Sequence, residues 1–328
     1  MVHMTVISDN RKFTTSVALA SYNGIKYIGE QLDSIRTQTQ PPDEVIITDD
    51  NSTDGTYEFC CDYISKHKLK GWNVCRNSQN LGVQKNFRYA LSKCTGDYIF
   101  TSDQDDIWMP DKIETMVKIL NTRSEIKLLV SNFIPLLEKD TKEKDNVYVR
   151  FLNHRNDGSI VQVKFSNIYL YVIRPGCTFC FRRELLNNYK ILDIPYLFHD
   201  GMSLRYAILQ DGLYLLNRQL IYYRRHSNNC TVVAGFKYRY DNLTTRINSS
   251  KRNADIYRKF LDASDELGVP EHNRKILSRE TKFFEKRVTV LEKRNPFSII
   301  LFVLMNFRRY STVRNALGDI YAAVFQRK

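Results

Sequence analysis

Residues 17–56 read VALASYNGIKYIGEQLDSIRTQTQPPDEVIITDDNSTDGT, and the hydrophobic period of this stretch changes twice. Ser16–Ala20 and Glu44–Thr48 are apolar runs with the length of buried strands. Between them, three apolar residues recur at the spacing of one helix face, namely Ile28, Leu32 and Ile35. A strand, a helix and a second strand in this order predict an α/β fold built on parallel strands.

The same alternation continues to residue 133. Further strands are predicted at Trp72–Arg76, Tyr98–Thr101 and Lys127–Phe133. Helices are predicted between these strands. Asp54 can cap the helix before Trp72, Phe87 faces inward in the helix before Tyr98, and Pro110 lies in the first turn of the helix before Lys127. The helix after Pro110 turns four apolar residues inward: Ile113, Met116, Val117 and Leu120. We therefore expect a Rossmann-like, mostly parallel sheet flanked by helices.

Polar clusters stand where three of these strands end: Ser21–Asn23, Asp49–Asp50 and Asp103–Asp106. In open parallel sheets, ligands bind beyond the carboxyl ends of the strands. The sequence therefore predicts a binding site along this edge of the sheet.

The cluster Asp103-Gln104-Asp105-Asp106 places three carboxylates in four positions, where they repel one another. A divalent cation among them would remove that repulsion, and Mg²⁺ and Mn²⁺ take oxygen ligands. Such a metal can also neutralise a diphosphate leaving group. A solvated acidic turn that caps the Pro110 helix is the other interpretation, and the spacing fits both.

The strand end at Asp49 and Asp50 can accept hydrogen bonds from a base or a ribose, although turn formation explains part of this cluster. Two other kinds of nucleotide site are absent. The 13 glycines include no G-x-G spacing, and no Gly-Lys-Ser/Thr occurs, so neither the dinucleotide fingerprint nor a P-loop is present. The phosphates of a nucleotide would therefore be bound by a metal and by basic side chains.

The second half of the chain adds predicted strands at Thr178–Arg182 and Gly212–Tyr223 around a helix near Leu204. Asp200 follows Tyr196-Leu197-Phe198, and a carboxylate among aromatic residues can have a raised pKa and act as a general base. A loop aspartate that caps the following helix is the alternative. Arg225 and His226 can contact a phosphate or a metal, or form a basic surface turn.

Two segments of the chain resemble family 2 glycosyltransferases with the GT-A fold. Val17–Thr56 is similar to the opening of that family, and Gly96–Trp108, GDYIFTSDQDDIW, is similar to its metal-binding strand end. The resemblance covers about residues 14–230. LFHDG and IYYRRHSNN, at 197–201 and 221–229, are similar to bacterial rhamnosyltransferases of surface-polysaccharide assembly, such as O-antigen and capsule synthesis.

The resemblance implies an inverting, metal-dependent transfer from a UDP- or dTDP-sugar, with rhamnose as a candidate sugar, to a lipid-linked glycan acceptor. It assigns roles to individual residues: Ala20 and Tyr22 flank the base, Asp50 hydrogen-bonds the base, Asp103 faces ribose or metal, Asp105 ligates Mn²⁺ or Mg²⁺, and Asp200 is the catalytic base. Arg225 and His226 match the diphosphate-contacting positions more loosely. Ala20 departs from the polar residue often found at its position.

The end of the chain is basic. The net charge is +13, and residues 271–328 hold 13 Lys and Arg against 5 Asp and Glu, a surplus of 8. Phe297–Met305, FSIILFVLM, lies between Lys293-Arg294 and Arg308-Arg309 and is too short to span a bilayer. Apolar residues bracketed by cations are typical of a helix in an anionic membrane interface. A buried core helix or an oligomer contact is the alternative.

The resemblance and these patterns divide the chain into a nucleotide-sugar-binding half (1–135), an acceptor-binding half (136–236) and a helical, basic, membrane-associating region (237–328). The first 13 residues are polar, so we expect no signal peptide and a cytoplasmic protein, peripheral on the inner face of the membrane. The odd number of cysteines, seven, favours reduced thiols, and the lone pair Cys177 and Cys180 does not indicate a zinc site.

Three other functions fit parts of the sequence. A nucleotidyltransferase would usually carry a glycine-rich signature, which Val17–Gly24 lacks. A nucleic-acid-binding protein would explain the charge and the aromatic residues. However, the charge lies far from the acidic strand ends along the chain, so we expect no nucleic-acid partner. A catalytically inactive protein that binds sugar nucleotides is disfavoured by the complete set Asp50, Asp103, Asp105 and Asp200.

Overall fold

A computed structural model of the protein describes residues 13–138, 155–166, 174–226, 229, 242–310 and 312–325. Three expectations fall wholly or partly outside these ranges. They concern the polar first residues, parts of the predicted acceptor-binding half at 136–236, and the start of the basic region at 237.

Up to Leu137 the described elements alternate as predicted, except that the short strand Ile107–Trp108 directly follows the strand Tyr98–Asp103. The strands are β1 Thr15–Ser21, β2 Glu44–Asp49, β3 Trp72–Arg76, β4 Tyr98–Asp103, β5 Ile107–Trp108, β6 Leu128–Leu137, β7 Ile160–Gln162, β8 Phe179–Arg182 and β9 Leu213–Arg225. The helices are α1 Ile28–Arg36, α2 Thr56–His67, α3 Val83–Lys93, α4 Lys112–Thr122, α5 Asn188–Ile191, α6 His199–Leu209, α7 Leu243–Asp262, α8 Glu271–Glu292, α9 Pro296–Asn306 and α10 Val313–Phe325.

One sheet joins the nine strands of the described residues in the order β3-β2-β1-β4-β8-β6-β9-β5, with β7 paired to β9. The half formed by β3, β2, β1 and β4 is parallel throughout, as predicted. The other half is mixed. β8 lies antiparallel between β4 and β6, so the strand predicted at Lys127–Phe133 is not next to β4. This arrangement buries β8, whose residues Phe179–Phe181 are apolar on both faces.

The sheet separates two hydrophobic cores. Alternate residues of β1 point to opposite sides, so Val17 and Leu19 enter one core and Ala18 enters the other. The first core is covered by α1, α2 and α4. The second also holds Phe260, Leu277 and other residues of the C-terminal helices. The helical C-terminal extension is therefore confirmed, and it packs on the same core as the sheet.

Two predicted boundaries differ from the structure. Helix α4 begins at Lys112, after Pro110 rather than at it, and the Pro110 carbonyl instead accepts a hydrogen bond of 2.8 Å from the Thr39 amide. Helix α2 begins at Thr56, and Gly55 rather than the predicted Asp54 is the residue immediately before it, at a φ of 91°. The Asp54 carboxylate still accepts a hydrogen bond of 3.1 Å from the Thr56 amide. In addition, β6 runs through the predicted domain boundary at 135/136.

Among the described helices, none combines the length and the apolar character required to cross a bilayer. The six described cysteines are free thiols, and Cys177 and Cys180 are both buried.

Candidate active site

The carboxyl ends of β1, β2 and β4 bring the three predicted polar clusters together. Ala20 on β1 lies in register with Thr48 on β2 and with Asp103 on β4. Ser21 lies opposite Asp49. Parallel pairing thus places residues from three distant parts of the sequence along one edge.

Asp50 is buried and its carboxylate holds the loop before α3. Its oxygens accept hydrogen bonds from Asn77 Nδ2 at 2.8 Å, from the Leu81 amide at 2.7 Å and from the Gly82 amide at 2.8 Å. An ionised carboxylate offers about four acceptor positions. Asp50 therefore has a structural role in this loop, and about one position is left for a ligand.

Tyr22 lies in the loop after β1, and the side chain of Gln104 forms hydrogen bonds with both the amide and the carbonyl of Tyr22. Gln104 Oε1 accepts the Tyr22 amide at 2.8 Å, and Gln104 Nε2 donates to the Tyr22 carbonyl at 3.0 Å. A Cβ on Gly24 would lie 2.1 Å from Gln104 Oε1, so glycine permits this approach. The Tyr22 ring is exposed and available to a ligand. Sequence reasoning did not select Gln104, although it lies inside the acidic cluster.

Asp105 meets the end of β9. Its Oδ2 lies 2.9 Å from His226 Nε2 and accepts a hydrogen bond of 2.7 Å from Asn229 Nδ2. The His226 ring stacks on Tyr27, with 4.7 Å between the ring centroids. The structure therefore brings together Asp105 and His226, two residues that the sequence selected separately.

Arg224, rather than Arg225, fixes the acidic turn. Its amide donates to Asp106 Oδ1 at 2.9 Å and its Nε donates to the Asp105 carbonyl at 2.7 Å, while its guanidinium also pairs with Glu30. Arg225 points to the opposite side of the strand, as alternation requires, and its Nη1 donates to Tyr223 Oη at 3.2 Å. Sequence reasoning missed Arg224 because the face that each arginine occupies was unknown.

Behind the edge, Asp106 and Lys112 are completely buried. Ligand atoms of Asp103, Asp106 and Cys177 lie within 4.8 Å of one another. Burial, together with the Asp105 and Asp103 carboxylates, raises the pKa of Asp106 well above its usual range. Lys112 Nζ donates to the Cys177 carbonyl at 2.6 Å, and burial lowers the pKa of Lys112 to about 8. A buried cation thus lies near the buried acids.

Asp200 reaches the same site from the first turn of α6. Burial, and then the carboxylates of Asp105 and Asp200, raise the pKa of Asp103 to about 7. Burial also raises the pKa of Asp200 to about 6, although its Oδ1 accepts the Gly201 amide at 2.6 Å. Thr101 Oγ1 of β4 donates a hydrogen bond of 2.5 Å to the carbonyl of Gly176, the residue that packs against Asp200. Asp200 therefore lies near the end of β4, although it is 97 positions after Asp103 in the sequence.

The backbone beside Asp200 leaves little space. A Cβ on Gly176 would lie 3.2 Å from Asp200 Cβ and 3.0 Å from His199 Nε2. The His199 ring stacks on Phe87 at 3.9 Å, and burial lowers its pKa to about 3, so it is neutral. The bulk of His199 and the bare backbone of Gly176 therefore fix the position of Asp200.

The residues at this edge fit a divalent metal. Asp103 and Asp105 supply carboxylate oxygens and His226 supplies an imidazole nitrogen, which are ligand types that Mn²⁺ accepts, while Mg²⁺ prefers the oxygens. The raised pKa of Asp103 reflects burial first and then repulsion from Asp105 and Asp200, and a cation would relieve that repulsion.

The sequence profile of Glycosyl transferase family 2 matches residues 16–190, just over half of the chain. An uncharacterized glycosyltransferase of Nostoc sp. is 23% identical over 216 residues, which make up 65% of each chain, so the match spans just under two thirds of that relative. The dTDP-rhamnosyl transferase RfbG of Shigella flexneri is 29% identical over 227 residues, covering 64% of this chain and 72% of that protein.

Solved structures show the same architecture. S. aureus TarS 1-349 in complex with UDP-GlcNAc matches with a TM-score of 0.58 at 20% identity, covering 96% of this chain and 82% of that one. The mannosyltransferase PcManGT from Pyrobaculum calidifontis, in complex with GDP-Man and Mn²⁺, matches with a TM-score of 0.53 at 17% identity, covering 97% and 89%. At these identities the likeness is one of fold, and it confirms the predicted GT-A architecture.

Proposed function

This chain belongs to glycosyl transferase family 2, and on that premise we propose that it transfers a sugar, with inversion, from a nucleotide-diphosphate donor to a hydroxyl group of a glycan acceptor. The observation that carries this proposal is the packing of Asp200 against Gly176, whose carbonyl accepts a hydrogen bond from Thr101 near the end of β4. A candidate base thereby lies beside the strand end that would hold the donor.

The donor would lie along the ends of β1, β2 and β4. Ala20 and Tyr22 would flank the base, Asp50 would accept a hydrogen bond from it, and Asp103 would face the ribose or the metal. The exposed ring of Tyr22 and the remaining acceptor position of Asp50 support this placement. The Shigella relative's dTDP-sugar and the UDP-sugar held by S. aureus TarS favour a UDP- or dTDP-sugar, with rhamnose as a candidate.

The proposed enzyme is metal-dependent. Asp105 and Asp103 would hold Mn²⁺ or Mg²⁺, and a bound ion would neutralise charge on the diphosphate. The contact of His226 with Asp105 supports a role for His226 at the metal or the diphosphate. Arg225 is proposed to contact the diphosphate, although its Nη1 donates to Tyr223 Oη in this structure.

Asp200 is the proposed base. The acceptor oxygen attacks the anomeric carbon, the bond from that carbon to the diphosphate oxygen breaks, and the acceptor proton passes to the Asp200 carboxylate. The nucleoside diphosphate leaves from the opposite face, which inverts the configuration. A base with a pKa of about 6 is ionised near neutral pH and still accepts a proton readily.

The acceptor is proposed to be a lipid-linked glycan of surface-polysaccharide synthesis, bound mainly by residues 136–236, whereas residues 1–135 bind the donor. The basic C-terminal helices support this assignment. The protein would then act in the cytoplasm as a peripheral protein on the inner face of the membrane.

Calorimetric titration with UDP-, dTDP- and GDP-sugars, each with Mn²⁺, with Mg²⁺ and with EDTA, tests the proposal. We expect metal-dependent binding of one donor class, followed by transfer or slow donor hydrolysis. Binding without either reaction would identify a catalytically inactive sugar-nucleotide-binding protein. Absence of donor binding, together with salt-dependent retention on DNA, would instead favour a nucleic-acid-binding protein.

A further inference from the structure

Helices α9 and α10 each expose an apolar face. On α9, Phe297, Leu301 and Met305 follow one another at four-residue spacing, and they are 84%, 59% and 75% exposed. On α10, Val313, Leu317 and Tyr321 repeat the same spacing and are also exposed. Residues four apart lie on one side of a helix, so each helix has an apolar stripe in contact with solvent. We call the two stripes together the apolar plate.

The two helices of the apolar plate pack against α7 and α8, which we call the C-terminal bundle. The opposite side of α9 is buried, and its Phe302 stacks on Phe283 of α8 with 5.6 Å between the rings. On α10, Asp319 is buried and accepts hydrogen bonds of 2.8 Å from Arg287 of α8 and of 2.9 Å from Arg246 of α7. Because both helices cover the same bundle, their outer faces are turned away from it.

The exposed charged residues that follow Glu292 in the sequence, on and between the two helices of the plate, have one sign. Asp319 is the only acidic residue after Glu292, and it is completely buried. Lys293, Arg294 and Arg314 are exposed on the described part of the surface next to the plate. The plate is therefore an apolar surface with a cationic rim.

We propose that the apolar plate docks on the surface of an anionic phospholipid bilayer. Its apolar side chains would enter the boundary between headgroups and acyl chains, and its cations would lie among the lipid phosphates. A second copy of the chain fits less well, because pairing two plates would bring their cationic rims together. The docking itself does not depend on the glycosyl transfer; only its purpose, access to a lipid-linked acceptor, rests on the proposed function.

Vesicle flotation of the full chain tests the proposal, with vesicles of phosphatidylcholine alone or with one-third phosphatidylglycerol. We expect binding to the anionic vesicles that weakens in high salt. Each basic residue near such a surface contributes roughly fivefold to binding. The variant Lys293→Gln/Arg314→Gln should therefore bind roughly 25-fold more weakly. Leu301→Asp/Leu317→Asp should lose at least roughly tenfold, because apolar burial is lost.

Matched controls are Lys66→Gln/Lys70→Gln and Val161→Asp, which change exposed residues outside the plate and should bind like the unchanged chain. Donor binding by calorimetry should be the same in all variants, so a failure of docking is distinguished from a failure of the proposed function. Absence of flotation with either vesicle would overturn the proposal. So would equal loss in the Val161→Asp control. A stable dimer in sedimentation that Leu301→Asp/Leu317→Asp dissociates would assign the plate to a second copy instead.

Discussion

Asp105 Oδ2 lies 2.9 Å from His226 Nε2, although 121 positions separate the two residues in the sequence. This contact joins the turn after β4 to the end of β9, and Arg224 strengthens the junction through the backbone of Asp105 and Asp106. The acidic turn is therefore not a free surface loop. Its geometry is set by a strand from the second half of the chain.

Replacement of Asp105 by asparagine tests the proposed metal site. Asp105→Asn keeps the size of the side chain and an oxygen for the Asn229 hydrogen bond, but it removes the charge that would hold a cation. We expect an unchanged fold, loss of metal-dependent donor binding by at least about tenfold, and no measurable transfer. Calorimetry with Mn²⁺ and the selected donor, together with circular dichroism, measures these effects.

The matched control is Glu125→Gln, which removes one exposed acidic charge that pairs with Arg123 on the surface. This control should keep donor binding and activity. Wild-type turnover in Asp105→Asn would contradict the metal assignment.

Replacement of Asp200 by asparagine separates chemistry from binding. Asp200→Asn cannot accept the acceptor proton, so we expect kcat to fall by roughly 10²–10⁴-fold. Donor affinity should change little, because the proposed donor contacts lie on β1, β2 and β4. Steady-state kinetics and donor calorimetry measure the two effects. An equal loss of donor binding and transfer would show that Asp200 supports the structure rather than the chemistry.

Asp103 and Asp200 should together lower the stability of the metal-free protein as the pH rises from about 4 to about 7, whereas His199, with its pKa lowered to about 3, acts in the opposite direction. The pKa of Asp200 is about 6 and that of Asp103 about 7 in the folded protein, above the usual 3.8. In that window the folded protein binds protons that the unfolded chain releases, so the stability present at low pH is lost as each pKa is passed. A shift of about two units corresponds to about 3 kcal/mol for Asp200 alone.

Thermal unfolding in EDTA across this pH range measures the effect. Asp200→Asn should flatten the dependence and raise the melting temperature at neutral pH relative to the unchanged chain. Added Mn²⁺ should stabilise the protein most at the upper end of the range, where the carboxylates are ionised. A melting temperature that rises from pH 4 to pH 7 in EDTA and is unaffected by Asp200→Asn would contradict the prediction.

The first half of the fold could be predicted because its signals are local. Apolar runs such as Val17–Ala20 and Glu44–Thr48 have the length of strands, and the helices between them force parallel pairing. Parallel pairing then places the strand-end acids on one edge without further information. The second half depends on long-range choices. Phe179–Arg182 is apolar enough to pair in either direction, and nothing within its four residues indicates that it lies between β4 and β6.

The candidate site, like the fold, could be predicted only where the sequence signals are local. Asp103, Asp105 and His226 could be selected from the sequence, but the contact between Asp105 and His226 and the role of Arg224 could not. The choice between Arg224 and Arg225 depends on the register of a 13-residue strand, which a sequence does not fix. The exposure of α10 was also hidden, because an amphipathic helix can turn its apolar face toward a core or toward solvent. Lys112 was missed because lysines in a first helical turn are usually exposed.

Replacement of Lys112 tests whether this buried cation stabilises the acidic edge. Lys112 Nζ donates to the Cys177 carbonyl at 2.6 Å and lies 4.0 Å from the centre of the Trp108 ring. Lys112→Met fills a similar volume but leaves that carbonyl without this donor and the buried acids without this cation. We expect a loss of about 2–4 kcal/mol in the free energy of unfolding, measured by urea denaturation at neutral pH.

Lys118→Met is the matched control on the same helix, because its side chain is 71% exposed and pairs only with Glu114 among the described residues. Surface substitutions of this kind usually change stability by less than about 0.5 kcal/mol. If Lys112→Met were as stable as Lys118→Met, Lys112 would be dispensable to the fold. A loss that vanished on acidification would support the electrostatic explanation, since protonated acids no longer require the cation, whereas a constant loss would assign the effect to the Cys177 hydrogen bond.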